Sequence, residues 1–328
     1  MKKIFFALCA VAALASCSNN EIVNLDQEAI AFDNAFVDNG TRATDDFTIE
    51  TDELLAFNVW ATTQRPDQGG VAQPIVPILA NVAVSRANAL SDWGYATDKT
   101  QYWIPGNTYQ FVAVKNGTVN EPLVNGLPAT ITYNATSQTD LLYAADTRVG
   151  MAAGENAPVA FIFDHLLSKA YFTVKVGAFE NTNYTYKVKD VQINNAVKEA
   201  TYTVGGTWAG TSNYTALAPL AFGHVAEAAK LAANSTNTSD FARLLVPAVY
   251  GDGNKLNITC TIETLYGNDV IDVQNYNTNI PQEFVKGYVY NFILTLGAPG
   301  DAIEFTVTRV NEWTPIGNAD NETPLPAL

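Results

Sequence analysis

The side chains that most often carry protein chemistry, cysteine and histidine, are scarce in this chain of 328 residues. The three cysteines are Cys9, Cys17 and Cys260, and the two histidines are His165 and His224. Neither histidine has a second histidine or a cysteine at the spacing of a metal site, so we expect no metal and no cofactor. The sequence also lacks the Gly-x-Ser-x-Gly nucleophile elbow and the glycine-rich phosphate-binding motifs. The sequence therefore predicts a protein that is not an enzyme.

Cys17 stands where a thiol is modified during export. Residues 1–3 give a positive start and residues 4–15 an apolar run closed by small side chains, which is typical of a secretory signal. A helix that crosses a bilayer needs about 20 apolar residues, so this run is too short to do so. Leu14-Ala15-Ser16-Cys17 resembles the bacterial lipobox, whose cysteine receives diacylglycerol before cleavage. We predict a signal peptide at 1–16 and lipidation of Cys17, with an ordinary cleaved signal as the alternative.

The body of the chain alternates apolar and polar residues with the period of a β-strand. Short turn sequences such as Asn116-Gly117 and Asp252-Gly253 separate the alternating segments, as in β-hairpins. The pattern predicts an all-β protein of antiparallel sandwiches. Alternation around Cys260 predicts a buried thiol. The alternating sets are Leu55, Phe57, Val59; Tyr109, Phe111, Ala113; Phe172, Val174, Val176; Tyr288, Tyr290, Phe292, Leu294, Leu296; and Ile303, Phe305, Val307.

Three local features modify this pattern. The apolar positions change parity across Lys189-Asp190, which predicts a β-bulge. Residues 224–233 are good helix formers and predict one short helix. Residues 150–158 lack periodicity, so we place a domain boundary there, with an N-terminal sandwich at 43–158 and a C-terminal sandwich at 159–328. The net charge of −15 argues against nucleic-acid binding.

A family resemblance rests on an ordered series of motifs. Phe163-Asp164-His165-Leu166-Leu167-Ser168-Lys169 resembles the Phe-x-His-x-Leu-Ser-Lys segment of the fimbrillin family, the type V pilins of Gram-negative bacteria. Other matching pieces follow in the family's order; they are Ala200-Thr201-Tyr202, Gly206-Thr207-Trp208, Leu244-Leu245-Val246-Pro247, Lys286-Gly287-Tyr288 and Asn311-Glu312-Trp313. The likeness covers most of residues 161–313.

The resemblance implies a fold and a function. The fold is two transthyretin-like Greek-key β-sandwich domains with one or two short helices. The function is that of a major or minor subunit of a cell-surface fimbria, with other fimbrial subunits, self or accessory, as partners. The precursor is an outer-membrane lipoprotein that contacts the membrane only through Cys17. Proteolysis after a basic residue then exposes a groove for a strand of a neighbouring subunit.

The residues before the first domain fit that mechanism. Ile30, Phe32 and Phe36 share one face of a strand-like segment, which could fill an edge position of the first sandwich. Its removal would uncover apolar side chains and unpaired backbone groups. Arg42, followed by Ala43, is the candidate cleavage site, because no other Lys or Arg occurs between residues 3 and 65. We therefore predict a propeptide at 17–42; the alternative is that Arg42 is an ordinary exposed loop residue.

The identity of the donor strand stays open at this point. Ala302-Ile303-Glu304-Phe305 echoes Ala29-Ile30-Ala31-Phe32, so Ile303, Phe305 and Val307 form a possible donor strand. The favoured interpretation is that they belong to the last core strand of the second sandwich. Residues 314–328 would then be the free donor, although their prolines remove backbone hydrogen-bond donors.

A glycan-binding lipoprotein that does not polymerise is the alternative function. Aromatic rings that stack on sugar faces could be supplied by a cluster near residue 100, beside Asp92 and Asp98. Buried aromatic residues at a sandwich edge are the commoner reason for such a cluster. The cluster comprises Trp93, Tyr95, Tyr102 and Trp103.

Overall fold

The computed structural model describes residues 27–33, 35–37, 54–88, 90–209, 218–222, 230–239, 242–247, 255–280, 283–310 and 322–324. They form strands β1 (Phe36–Val37), β2 (Ala56–Gln64), β3 (Ile75–Ser85), β4 (Gly94–Tyr95), β5 (Thr108–Lys115), β6 (Thr118–Val119), β7 (Thr130–Asn134), β8 (Leu142–Val149), β9 (Ile162–His165), β10 (Ser168–Val176), β11 (Tyr184–Asn194), β12 (Glu199–Thr203), β13 (Leu220–Ala221), β14 (Thr236–Thr238), β15 (Arg243–Leu245), β16 (Leu256–Tyr266), β17 (Asp269–Ile280), β18 (Val289–Leu296), β19 (Glu304–Val310) and β20 (Glu322–Pro324).

The predicted all-β class is confirmed. Helical structure among the described residues is limited to two 3₁₀ turns, Thr97–Lys99 and Ala135–Ser137. The helix predicted at 224–233 lies mostly outside the described residues; Leu231, near its end, forms a β-bridge with Tyr186. Within the described part of the chain, no helix is both long enough and apolar enough to span a membrane.

A seven-stranded sheet organises the N-terminal half, in the order β1-β9-β8-β5-β2-β3-β4. Its central strands bury both faces, because alternate residues of β2 and β5 enter different cores. Phe57 and Phe111 pack in a first core, whereas Trp60 and Val112 pack in a second. Both faces of β2 and β5 are thus buried, whereas the alternation of apolar and polar residues predicted one buried face.

The C-terminal half is built around β10. Strand β18 pairs with it in parallel along Lys169–Val176, and β19 pairs antiparallel with β18. A second sheet, β13-β11-β16-β17, contributes Val188 and Ile258 to the same buried cluster as Phe172. The β11–β16 register shifts between Lys189 and Gln192, which confirms the predicted bulge.

Strand pairing and a buried polar contact join the two halves. Strand β12 pairs antiparallel with β7 from Glu199↔Asn134 to Thr203↔Thr130, so each half supplies a strand to one small sheet. At the end of β9, the buried ring of His165 bonds through Nδ1 to the buried carboxylate of Asp140. His165 thus lies in strand β9, and its ring takes part in a hydrogen bond with Asp140. The boundary between 158 and 159 stays a prediction; β9, just beyond it, pairs with β8 of the N-terminal sheet.

Cys260 is buried and free, as its alternation predicts. Burial raises the pKa of this thiol to about 12. Because the thiolate is the nucleophile, we expect iodoacetamide at pH 8 to alkylate Cys260 on the order of 100-fold more slowly in the native chain than in denaturant. Intact mass against time measures this rate in a chain that begins after Cys17. Equal rates in the two states would show that the thiol is exposed.

Candidate functional site

The leader segment, residues 27–37 without Asn34, is bound by backbone on both sides. On one side, the Ile30 amide donates to the Gln101 carbonyl at 2.8 Å, and the Trp103 amide donates to the Glu28 carbonyl at 3.0 Å. On the other side, Asp33 N donates to Val159 O at 3.0 Å, and Val159 N donates to Ala31 O at 2.8 Å. The leader segment therefore fills a gap between two stretches of backbone, beyond the single edge position that the sequence predicted.

The leader segment ends in a short parallel pairing. Strand β1 runs parallel to β9, with Phe36 opposite Ile162 and Val37 opposite Phe163. Ala35 is buried although it does not share the alternation of Ile30 and Phe32. The segment is thus a series of short pairings, and the burial of Ala35 is a feature that the alternation of its apolar residues did not predict.

Two large leader side chains enter the first core, together with the small side chain of Ala35. Ile30 is 1% exposed and Phe32 is 4% exposed. The Phe32 ring meets Tyr95 edge-on at 5.5 Å between centroids and stacks on Phe161 at 5.9 Å. A third ring, that of Phe111, is edge-on at 6.3 Å. We call the surface that holds these two side chains, with the backbone of residues 101–103 and 159, the leader groove.

Departure of the leader segment would change the leader groove in two ways. The amides of Trp103 and Val159 and the carbonyls of Gln101 and Val159 would lose their partners. The Tyr95 hydroxyl, which donates to the Ile30 carbonyl at 2.8 Å, would lose its acceptor. The apolar surface under Phe32 would be uncovered. An exposed row of backbone groups beside apolar pockets is the arrangement that binds an added β-strand.

Glu28 fastens the start of the leader segment. One carboxylate oxygen, Oε2, accepts hydrogen bonds from Gly154 N at 2.9 Å, Asn156 N at 3.2 Å and Asn156 Nδ2 at 2.8 Å. The bond from the Asn156 side chain is the main cause that lowers the pKa of Glu28 below its usual 4.5. Partial desolvation opposes the shift, and the two backbone amides reinforce it.

The lowered pKa of Glu28 predicts that binding of the leader segment depends on pH. A carboxyl whose pKa is lower when bound than when free stabilises binding above its free pKa, and that contribution is lost as the pH falls through the bound value. We therefore expect the leader to leave a chain nicked after Arg42 faster as the pH drops below about 4.5, the usual glutamate range. Glu28→Gln should remove this part of the pH dependence. The measurement is release of the leader peptide by mass spectrometry between pH 7 and pH 3.5; identical profiles for the two proteins would contradict the prediction.

The sequence did not identify Glu28 as a site residue. Its partner Asn156 is 128 residues away, so no spacing rule joins them. The only local signal was an acidic residue at the start of an apolar alternation, which is common at strand ends.

The predicted processing residues lie outside the described part of the chain. They are Cys17, Arg42 and Ala43. Their roles stay predictions. His224 also lies outside the described residues. The side chain of Phe36 is likewise not described, although its backbone is.

The possible donor strand lies in the sheet of the second half. Phe305 and Val307 of β19 pair opposite Leu294 and Phe292 of β18. Ile303, just before the strand, packs with them against the second core. Beyond them, β20 pairs with the end of β19, Thr308 opposite Pro324. A donor role for either segment stays a prediction.

The four aromatic residues of the glycan alternative do not share one exposed face. Trp103 is buried, and the hydroxyl of Tyr95 points to the leader backbone. Trp93 is half-buried with the Arg86 guanidinium 4.6 Å above its ring, and Tyr102 is 44% exposed. Glycan contact at these rings stays a prediction. In the described ranges, no group of three or more His, Cys, Asp or Glu side chains is placed to bind a metal ion.

Comparison with known proteins agrees with this architecture. The model of the fimbrillin-like family matches residues 41–313, and the model of the prokaryotic membrane lipoprotein lipid attachment site matches residues 1–18. No curated protein sequence matches the chain significantly.

Two solved structures share the fold. One is a fimbrial protein from Bacteroides vulgatus, with 16% identity, a TM-score of 0.56, and coverage of 87% of this chain and 99% of that one. The other is a candidate cell adhesion protein from Bacteroides ovatus, with 17% identity, a TM-score of 0.50, and coverage of 89% and 99%.

Proposed function

Because the chain belongs to the fimbrillin-like family, we propose that it is a structural or adhesive subunit of a type V fimbria that is trimmed after Arg42 and assembled by strand exchange. The family is one of fimbrial and adhesion proteins and not of enzymes, so the prediction of no enzymatic activity is confirmed. The lipid attachment site and the family indicate a membrane-anchored protein of the cell surface.

The observation that supports strand exchange is the position of the leader segment. It is bound by backbone on both sides, it buries Ile30 and Phe32, and it lies directly before the candidate cleavage site at Arg42. Cleavage would therefore separate from the domain a segment whose binding resembles that of an added strand. A strand of a neighbouring subunit then takes its place.

The same proposal assigns location and partners. The precursor is held on the outer membrane by lipid on Cys17, and trimming after Arg42 frees the subunit from that anchor. Its partners are other fimbrial subunits, self or accessory. The net charge of −15 gives no electrostatic reason to bind nucleic acid.

N-terminal sequencing with intact mass of the protein recovered from the cell surface tests the proposal. A start at Ala43 is the expected result. A blocked and acylated Cys17 in the polymeric form would contradict the trimming step. An acylated Cys17 in a protein that never associates would favour the glycan-binding alternative.

A further inference from the structure

The loop that binds Glu28 is held in shape by its own hydrogen bonds. The Asn156 side chain accepts from Met151 N at 2.8 Å and donates to the carbonyls of Met151 and Ala152 at 3.2 and 3.1 Å. The Glu155 amide donates to the Ala152 carbonyl at 3.0 Å. None of these bonds involves the leader segment. The amides of Gly154 and Asn156 therefore keep their direction when the leader segment leaves.

Three binding positions follow one another along the leader groove at a spacing of two residues. The first receives the Glu28 carboxylate, the second buries Ile30, and the third encloses the Phe32 ring among three aromatic rings. Successive side chains of a strand point to opposite faces, so residues two apart can occupy all three positions at once.

We propose that the vacated leader groove selects an incoming strand by an acidic residue that lies two positions before a branched aliphatic residue and four before an aromatic one. The carboxylate is bound by Gly154 and Asn156. This inference rests on the proposed function, and it names the chemistry of the donor strand that the groove accepts.

The chemistry of the first position favours an anion over an amide. Two backbone amides and one side-chain amide point to a single oxygen, and hydrogen bonds to an ionised acceptor are about twice as strong as neutral ones. A glutamine would offer one neutral carbonyl oxygen to the same three donors. A lysine or arginine would place its own hydrogen-bond donors against the three donors of this position, which weakens binding.

The chain contains a second segment of this type. Asp301-Ala302-Ile303-Glu304-Phe305 repeats the acidic-Ala-Ile-x-Phe order of Glu28-Ala29-Ile30-Ala31-Phe32. In this structure it belongs to its own half, where Ala298 N donates to Asp301 Oδ2 at 2.7 Å and Phe305 packs near Phe292. A peptide of this second segment can therefore serve as a probe of the groove.

Peptide exchange tests the inference on the chain without its signal, nicked after Arg42 by an arginine-specific protease. A labelled peptide of residues 28–37 should enter the groove and release the leader. Its Glu28→Gln form should compete about tenfold more weakly, because it loses the charge-assisted bonds. The Glu28→Gln, Ala31→Glu form has the same net charge as the unchanged peptide and should compete within about twofold of the Glu28→Gln form, because Ala31 is exposed and its side chain does not reach the first position. A peptide of residues 301–310 should also compete, and its Asp301→Asn form should compete about tenfold more weakly than the unchanged 301–310 peptide.

A change on the groove side completes the test. In Asn156→Ala, the difference between the unchanged peptide and its Glu28→Gln form should shrink to about threefold or less, because the side-chain donor is gone and the loop that orients the two backbone amides loses the bonds of the Asn156 side chain. Equal competition by these two peptides on the unchanged protein would overturn the inference and leave strand exchange intact. If no peptide enters the groove under conditions in which the leader is released, the proposed function itself is contradicted.

Discussion

Replacement of Arg42 by alanine is expected to prevent the SDS-resistant oligomers that assembly by strand exchange predicts, and to leave the surface form of the protein starting at lipidated Cys17. The physical reason is that the leader segment then stays covalently attached to the domain. A strand that is tethered beside its own groove has an effective concentration in the millimolar range, which a neighbouring subunit cannot match. The measurement is electrophoresis of unheated surface extracts, with intact mass of the recovered chain.

Arg65→Ala is the matched control. Arg65 is the next basic residue along the chain and is exposed just after β2. Its loss should change neither the mass of the mature protein nor the oligomer ladder. Normal oligomers in Arg42→Ala with an unchanged start at Ala43 would show that cleavage does not depend on Arg42, and oligomers of the uncleaved chain would contradict strand exchange.

The strand pattern was the most predictable part of the fold. Phe172, Val174 and Val176 alternate because each faces one core, and the structure buries all three. The bulge after Lys189 was predictable for the same reason, since an extra residue in a strand reverses the parity of everything that follows. A period of two is a local property, so it survives without knowledge of the partner strands.

The candidate site was only partly predictable, because it depends on contacts between distant residues. Burial of Ile30 and Phe32 agrees with their alternation, but nothing local indicates that Glu28 meets Asn156 or that Asp140 meets His165. The aromatic cluster shows the same limit. Trp103 is buried beside Tyr109, a contact that no spacing rule distinguishes from an exposed ring.

The leader segment is held by backbone hydrogen bonds on both sides and by few large buried side chains. Its backbone bonds resemble those of any strand, and such bonds can be replaced one for one by an incoming strand. Specificity must therefore come from side chains, of which Ile30 and Phe32 are the large buried ones described. The free energy that holds the leader is thus concentrated in positions that a single substitution can remove.

Among single substitutions in the leader segment, Phe32→Ala is accordingly expected to weaken binding of the leader the most. Removal of a buried phenylalanine costs about 3–5 kcal/mol, through lost burial and the cavity left behind. In the nicked chain, about 3 kcal/mol corresponds to a weakening of leader binding by roughly 100-fold. The affinity is measured by titrating the nicked chain with labelled leader peptides.

The exposed neighbour provides the control for this change. Ala31 points away from the core, so Ala31→Ser should leave leader affinity within about twofold. If Phe32→Ala binds as tightly as the unchanged leader, the aromatic pocket does not hold the strand. The expected result is a loss of affinity in Phe32→Ala and not in Ala31→Ser. If the nicked Phe32→Ala chain also assembles faster than the unchanged nicked chain, the leader limits assembly by occupying the groove. Release of the Phe32 ring would then be the step that a donor strand must wait for.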